Sequence, residues 1–335
     1  MSAGTIWSVG TEAIKTVFAG MEPVLKAFCV AFLIAVILTP IFIPILKRLK
    51  FGQTIREVGP SWHQKKNGTP TMGGIGFLLA TVVATLIFAR GDSKAILAVV
   101  TVSAFGLIGF ADDFIKVVLK RNLGLTEIQK LILQVAASVG FLIAAYRMDV
   151  IDTALYIPFT DIHLELSWFY FVFATIFIVG FVNAVNLTDG VDGLAGSVST
   201  LAILFFTLLA CQKDQIGIGV VCAAVVGGVF AFLFYNFNPA KVFMGDTGSL
   251  FLGGVVSVAS VLLNCELILI LVGLIYLIEA LSVMIQVAYF KRTKKRIFLM
   301  TPIHHHFEKK GWKENKIVTV FSLITLVCCL VAFMA

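Results

Sequence analysis

The chain has 335 residues, of which 59% are hydrophobic and 13% charged, and its formal net charge is +7. Water-soluble domains carry about 25% charged residues, so this composition, with a mean hydropathy of +1.00, excludes an ordinary soluble enzyme and a disordered chain. Nothing in the pattern points to nucleic acid as a partner, and a lipid bilayer is the solvent it implies.

Met1 to Gly20 reads as a short interfacial helix rather than a signal peptide, because no basic region precedes its apolar residues and Glu12 and Lys15 interrupt it. Crossing ~30 Å of hydrocarbon takes about 20 apolar residues in a helix. Ten runs of that kind follow, near 25–47, 71–90, 95–115, 126–147, 168–185, 194–211, 216–235, 249–264, 266–289 and 316–335. They are continuously apolar rather than alternating, which excludes a closed barrel. The expected fold is an all-α polytopic membrane protein of ten transmembrane helices, with residues 1–335 forming one domain. Between the fourth and fifth runs, Tyr156 to Leu166 alternates apolar and polar residues, which predicts a small hairpin.

Ten spans place successive loops on alternate sides. One side collects 20 of the 26 Lys and Arg residues, and the excess of basic residues marks the cytoplasmic face. Both termini then face outward, and five loops face the cytoplasm. Cys29, Cys211, Cys222, Cys265, Cys328 and Cys329 lie in or near apolar runs without metal-type spacing, and packing accounts for them.

Polar clusters close or open the apolar runs, all on the basic side. Asp112-Asp113-Phe114-Ile115-Lys116 ends the third run. Adjacent carboxylates repel unless a cation neutralises them, and a helix C-terminus is a poor place for Asp. Lys116, three and four residues on, can serve either acid. The block Asn183 to Gly196 follows the fifth run and holds Asn183, Asn186, Asp189 and Asp192 among three glycines. Oxygen-rich side chains beside exposed backbone N–H groups suit Mg²⁺ and phosphate or a nucleotide. Tyr235 to Ser249 joins the seventh and eighth runs. There Asp246 reads either as a helix cap or as part of a ligand site, with Asn236, Lys241 and the ring of Phe243 nearby. Lys65 to Gly74, with Lys66 and Thr71, combines bases with a glycine-rich helix entry that can seat a phosphate. Tyr289 to Met300 predicts a basic helical extension lying on an anionic membrane surface. His304-His305-His306, in the loop after it, are poor joint ligands for one zinc, because neighbouring side chains diverge; they suit phosphate binding or proton transfer. Glu279 lies inside the ninth run, a costly placement that has to face protein or water.

Taken together, Asp112 to Lys116, Asn183 to Gly196 and Phe243-Met244-Gly245-Asp246 resemble the signatures of the polyprenyl-phosphate N-acetylhexosamine-1-phosphate transferases, over essentially the full chain. Pro302 to Glu308 is similar to the muramoyl-pentapeptide branch. The resemblance implies transfer of phospho-N-acetylmuramoyl-pentapeptide from its UDP derivative to undecaprenyl phosphate, giving lipid I and UMP. It further implies Mg²⁺, a homodimer, and a site at the inner leaflet of a bacterial cytoplasmic membrane. On this reading Asp246 ligates the metal, and Asp112 deprotonates or orients the lipid phosphate with Asp113 and Lys116 in support. Asn186, Asp189 and Asp192 with Phe243 hold the uridine side, and Lys66 and Thr71 the nucleotide. His304 and His305 hold phosphate or sugar, and Asn183, Asn236, Lys241, Gln286 and His306 are further substrate-binding residues. The alternatives are transfer of N-acetylglucosamine-1-phosphate, or a cation-coupled transporter with acids near mid-span.

Overall fold

The computed structural model describes residues 3–48, 68–118, 124–160 and 162–335. In chain order the elements are α1 (Ala3–Arg48), α2 (Gly74–Phe88), α3 (Ser93–Val118), α4 (Glu127–Arg147), β1 (Ala154–Tyr156), β2 (His163–Glu165), α5 (Phe169–Thr188), α6 (Leu194–Gln212), α7 (Ile216–Asn236), α8 (Gly245–Leu262), α9 (Glu266–Val272), α10 (Leu274–Thr293), α11 (Ile303–Lys309) and α12 (Glu314–Ala332). The protein is an all-α polytopic membrane protein. Among the described residues, nine helices are long and apolar enough to cross a membrane, and α2, at 15 residues, is a shorter apolar helix.

Three expectations change. The N-terminal segment is no separate interfacial helix, because α1 runs unbroken from Ala3 to Arg48. At 46 residues and about 1.5 Å per residue, it is far longer than the hydrocarbon is thick. The ninth run is two helices, since Gly273 interrupts it between α9 and α10. A side chain there would sit 2.8 Å from both the Leu269 carbonyl oxygen and the Phe181 ring, so only a glycine fits the corner. The basic extension is helical only to Thr293, where Lys294 takes a left-handed conformation and ends α10.

α8 lies at the centre and is buried from Thr247 to Leu262. Serines tolerate that position by bonding within the helix: Ser257 donates to the Gly253 carbonyl at 2.7 Å and Ser260 to that of Ser257 at 2.8 Å. Without water, a hydroxyl left unpaired there would cost several kcal/mol. α3 and α5 flank α8, while α1 packs along α7. The outer sides of α1, α4 and α10 carry exposed Leu33, Ile37, Ile132, Ile143, Leu281 and Met284, as lipid-facing helices do. The predicted hairpin is present, antiparallel, with Leu155 opposite Leu164.

The contact that matters most for the site is between α3 and α8. A Cβ on Gly109 would stand 2.1 Å from the Asp246 carbonyl oxygen and 2.7 Å from the Thr247 nitrogen. Only glycine lets the two backbones come this close, and the approach carries Asp112 and Asp113, one turn further along α3, to the start of α8.

Candidate active site

Asp112, Asp113 and Asp246 meet at one end of the bundle, each offering a carboxylate oxygen within 4.8 Å of the others. Each is held differently. Asp113 is buried and accepts from the start of α8: the Asp246 N–H at 3.2 Å, the Thr247 N–H at 2.9 Å and the Thr247 hydroxyl at 2.8 Å. A carboxylate over a helix N-terminus meets the positive end of its dipole. Asp112 accepts the Leu125 N–H at 2.8 Å, which ties the residues just before α4 to the site, and faces Lys116 at 2.5 Å. Asp246 lies in the first turn of α8, where Lys116 and Lys130 each donate to its Oδ2 at 2.9 Å and Asn186 donates to its Oδ1 at 2.8 Å. Lys116 therefore bridges Asp112 and Asp246; Asp113, which the spacing allowed as its partner, is served by the start of α8 instead.

Lys130 is a site residue that sequence reasoning passed over. Its position is fixed by a capping box opening α4, in which Thr126 accepts from the Gln129 N–H at 3.2 Å and Gln129 returns the bond at 3.0 Å. That box is visible in the sequence, but its facing Asp246 is a consequence of packing. Thr71 is buried beside this cluster, where a Cβ on Gly245 would meet both its hydroxyl and the Asp113 carboxylate. Residues 70–74, which lead into α2, are laced to 243–244 by three backbone bonds of 2.8–3.0 Å, which hold Phe243 between Pro70 and Gly73. Lys241 is exposed. Lys66 lies outside the described residues.

The block after α5 divides into two functions. Asn186 faces the acids and also donates to Ser249 at 2.7 Å. Asp189 follows, half-buried; burial first, then the charges of Asp246, Asp113 and Asp192, push its carboxyl up to about 8. The other members are committed to architecture. Asn183 pairs with Gln134 of α4 at 2.7 Å. Asp192 accepts from the Asn238 amide at 3.1 Å and the Ala240 N–H at 3.0 Å. Asn236 accepts from the Gly193 N–H at 3.0 Å and donates to the Val242 carbonyl at 2.9 Å. Asp192 and Asn236 thus lock the turn after α5 to the connection before α8, so the expectation that they line the substrate pocket becomes one of support.

The three histidines stand on a short helix, α11, rather than in a loop. The rings of His304 and His305 stay in edge-on contact, with centroids 4.1 Å apart. His304 turns inward, fully buried, with Nδ1 3.1 Å from Glu279 Oε2. His305 pairs with Glu308 at 2.6 Å. His306 accepts the Leu299 N–H through Nδ1 at 3.1 Å, and burial with the nearby Lys310 lowers its pKa, both of which favour the neutral ring. Gln286 accepts the N–H groups of Ile297 and Phe298 at 3.1 and 3.0 Å, so it shapes the α10–α11 connection.

A polytopic helical bundle with clustered carboxylates and lysines at one end fits a membrane-embedded transferase of phosphorylated sugars, the class to which the following relatives belong. The family model described as Glycosyl transferase family 4 matches residues 95–264, and the model described as phospho-N-acetylmuramoyl-pentapeptide-transferase signature 1 matches residues 66–78. A phospho-N-acetylmuramoyl-pentapeptide-transferase of Listeria welshimeri is 50% identical over 307 residues, 90% of this chain and 94% of its own. Those of Staphylococcus carnosus and Clostridium perfringens are 49% and 48% identical, over 90% and 92% of this chain and 96% and 98% of theirs. The chain belongs to the phospho-N-acetylmuramoyl-pentapeptide-transferase family.

Proposed function

We propose that this chain transfers phospho-N-acetylmuramoyl-pentapeptide from UDP-N-acetylmuramoyl-pentapeptide to undecaprenyl phosphate, releasing UMP and forming lipid I. The observation that carries this reading is the meeting of Asp112, Asp113 and Asp246 under two lysines at one end of the bundle. Two anionic substrates have to be brought together there, and fixed cations and N–H donors lower the cost of doing so.

The donor set fits a hard divalent cation, since three carboxylates offer oxygens within 4.8 Å and Mg²⁺ takes oxygen ligands. Asp246, with Asp112 and Asp113 beside it, would hold Mg²⁺, which supplies charge neutralisation to the diphosphate as UMP departs. The lysines act alongside. Lys116 and Lys130, now on Asp246, are placed to meet phosphate oxygens. Asp112 orients the lipid phosphate or takes its proton, and Asp113 holds the start of α8 in register. Asn186, Asp189 and Phe243 form the uridine side with Thr71 and Lys66, while His304 and His305 serve the sugar phosphate. α10 exposes Met284, Ile285 and Val287 to lipid and ends in Lys291 and Arg292, which supports approach of a greasy anionic acceptor along it.

The bilayer is the bacterial cytoplasmic membrane in this reading, with ten spans if α2 crosses, both termini outside and the site facing the cytoplasm. Purified protein given both substrates and Mg²⁺ should release UMP. The D246N variant should lose Mg²⁺-dependent release by ~10²-fold or more, the scale of losing a group that neutralises transition-state charge; near-parent turnover would overturn the metal assignment. Equal use of UDP-N-acetylglucosamine would move the chain to the wider superfamily.

A further inference from the structure

Glu279 is fully buried within a membrane-spanning helix, as is the His304 side chain that faces it. A carboxylate in that position costs several kcal/mol unless paired. Its Oε2 lies 3.1 Å from His304 Nδ1 and 3.4 Å from the His304 backbone N–H, which donates to it. Nδ1 is within ion-pair distance of Oε2, but Glu279 Oε1 and both ring nitrogens of His304 have no formal hydrogen-bond partner among the described residues.

The opposite side of the imidazole is set by Gly190. A Cβ there would fall 2.2 Å from Nε2 and 2.6 Å from Cε1, so the Nε2 corner of the ring abuts the turn that carries Asn186, Asp189 and Asp192. The charged groups on the elements around it are Asp189 and Asp192 of that turn, His305 and Glu308 of α11, Glu314 at the start of α12, and Glu279 of α10. Of these, Glu279 is the one placed at Nδ1, and its neighbour His305 pairs with Glu308.

We propose that Glu279 is a positioning residue that holds His304 through Nδ1 and so keeps the buried Nε2 turned to the Asn186–Gly193 turn of the site. A carboxylate accepting from one ring nitrogen fixes both the tautomer and the ring plane. The inference rests on the reading that His304 serves the active site. It explains why a charge is retained inside a lipid-facing helix, where an apolar residue would fold at lower cost.

The test uses the full-length protein with both substrates. In E279M the side chain is similar in length and accepts nothing. Turnover should fall on the order of 10- to 100-fold, the usual loss when the group behind a working histidine is removed. KM for the nucleotide should change little and thermal stability should not fall. E279Q, whose carbonyl oxygen still accepts, should retain more turnover than E279M. In an H304Q background, E279M should add almost nothing. With ¹⁵N-histidine, the His304 signals, assigned by their loss in H304Q, should show a protonated Nδ1 and a bare Nε2 in the parent, and mixed tautomers in E279M. Parent-like turnover in E279M, or a full further loss on H304Q, would overturn the proposal while leaving His304 in the site. Parent-like turnover in H304Q would instead remove His304 from the site and the proposal with it. Were E279M to fail to fold, E279Q and the parent spectrum decide: a protonated Nε2 in the parent overturns it.

Discussion

Charge at single residues sets the chemistry, and Asp189 gives the plainest case. Its carboxyl is pushed up to about 8 from the ordinary 3.8 by burial and by Asp246, Asp113 and Asp192. A raised carboxyl stabilises the fold fully below the unfolded value, near 4, and that contribution is lost as pH rises through about 8. Without divalent metal, the parent should therefore lose thermal stability between pH 6 and pH 9. D189N, which mimics the neutral form, should lose less, and its melting temperature should exceed the parent's at pH 9 and approach it at pH 5. A parent curve flat over that range would contradict the burial of charge described here. The residue scale is also where the sequence was most informative about kind and least about role. Asp112, Asp113, Asn186, Asp189 and Asp246 announce themselves as acids and amides beside hydrocarbon. Asp192 and Asn236 look the same in sequence, yet they bond to backbone of the neighbouring turn, which only the pairing of residues over 40 positions apart can show.

Elements bring these side chains within reach. α3 and α8 approach closely because Gly109 has no side chain to hold them apart. G109A should therefore cost about 1–3 kcal/mol, as overpacking a tight helix contact does, and should lower UMP release more than its loss of stability accounts for. The reason is that Asp113 and Asp246 would separate together with the backbones. Wild-type activity and melting temperature in G109A would mean the helices are free to slide. The same scale explains what the sequence concealed. Ten apolar runs were legible because hydrophobicity is a property of consecutive residues. The corner at Gly273 was hidden inside one run, since a break between two apolar helices leaves composition unchanged. The helicity of His304 to His306 was hidden too, because seven residues are too few to show a period.

For the molecule as a whole, polarity is sorted between the two ends of the bundle. The carboxylate cluster, the lysines and α11 occupy one end, and the hairpin with Trp168 occupies the other. Cysteine introduced at Thr160 should react with an impermeant maleimide added to intact cells, whereas cysteine at Arg296 should react only after lysis. The reverse pattern would invert the proposed orientation. Glu279 shows the limit of reading topology alone: hydropathy marks it as costly, and its partner arrives only after α10 has ended and α11 has turned back.

Asp113 and the Thr247 amide that holds it are 134 residues apart in the chain. Ribosomes add about 5–20 residues per second, so on the order of ten seconds pass after α3 emerges before α8 exists to receive it. Through that interval Asp113 must wait without its partners, while Asp112 already has Lys116 one turn away. The location of Asp113 at the end of the helix, rather than at its middle, lets it wait in water. The position that suits a phosphate-handling site thus also makes the unfinished chain tolerable to the membrane while it is being made.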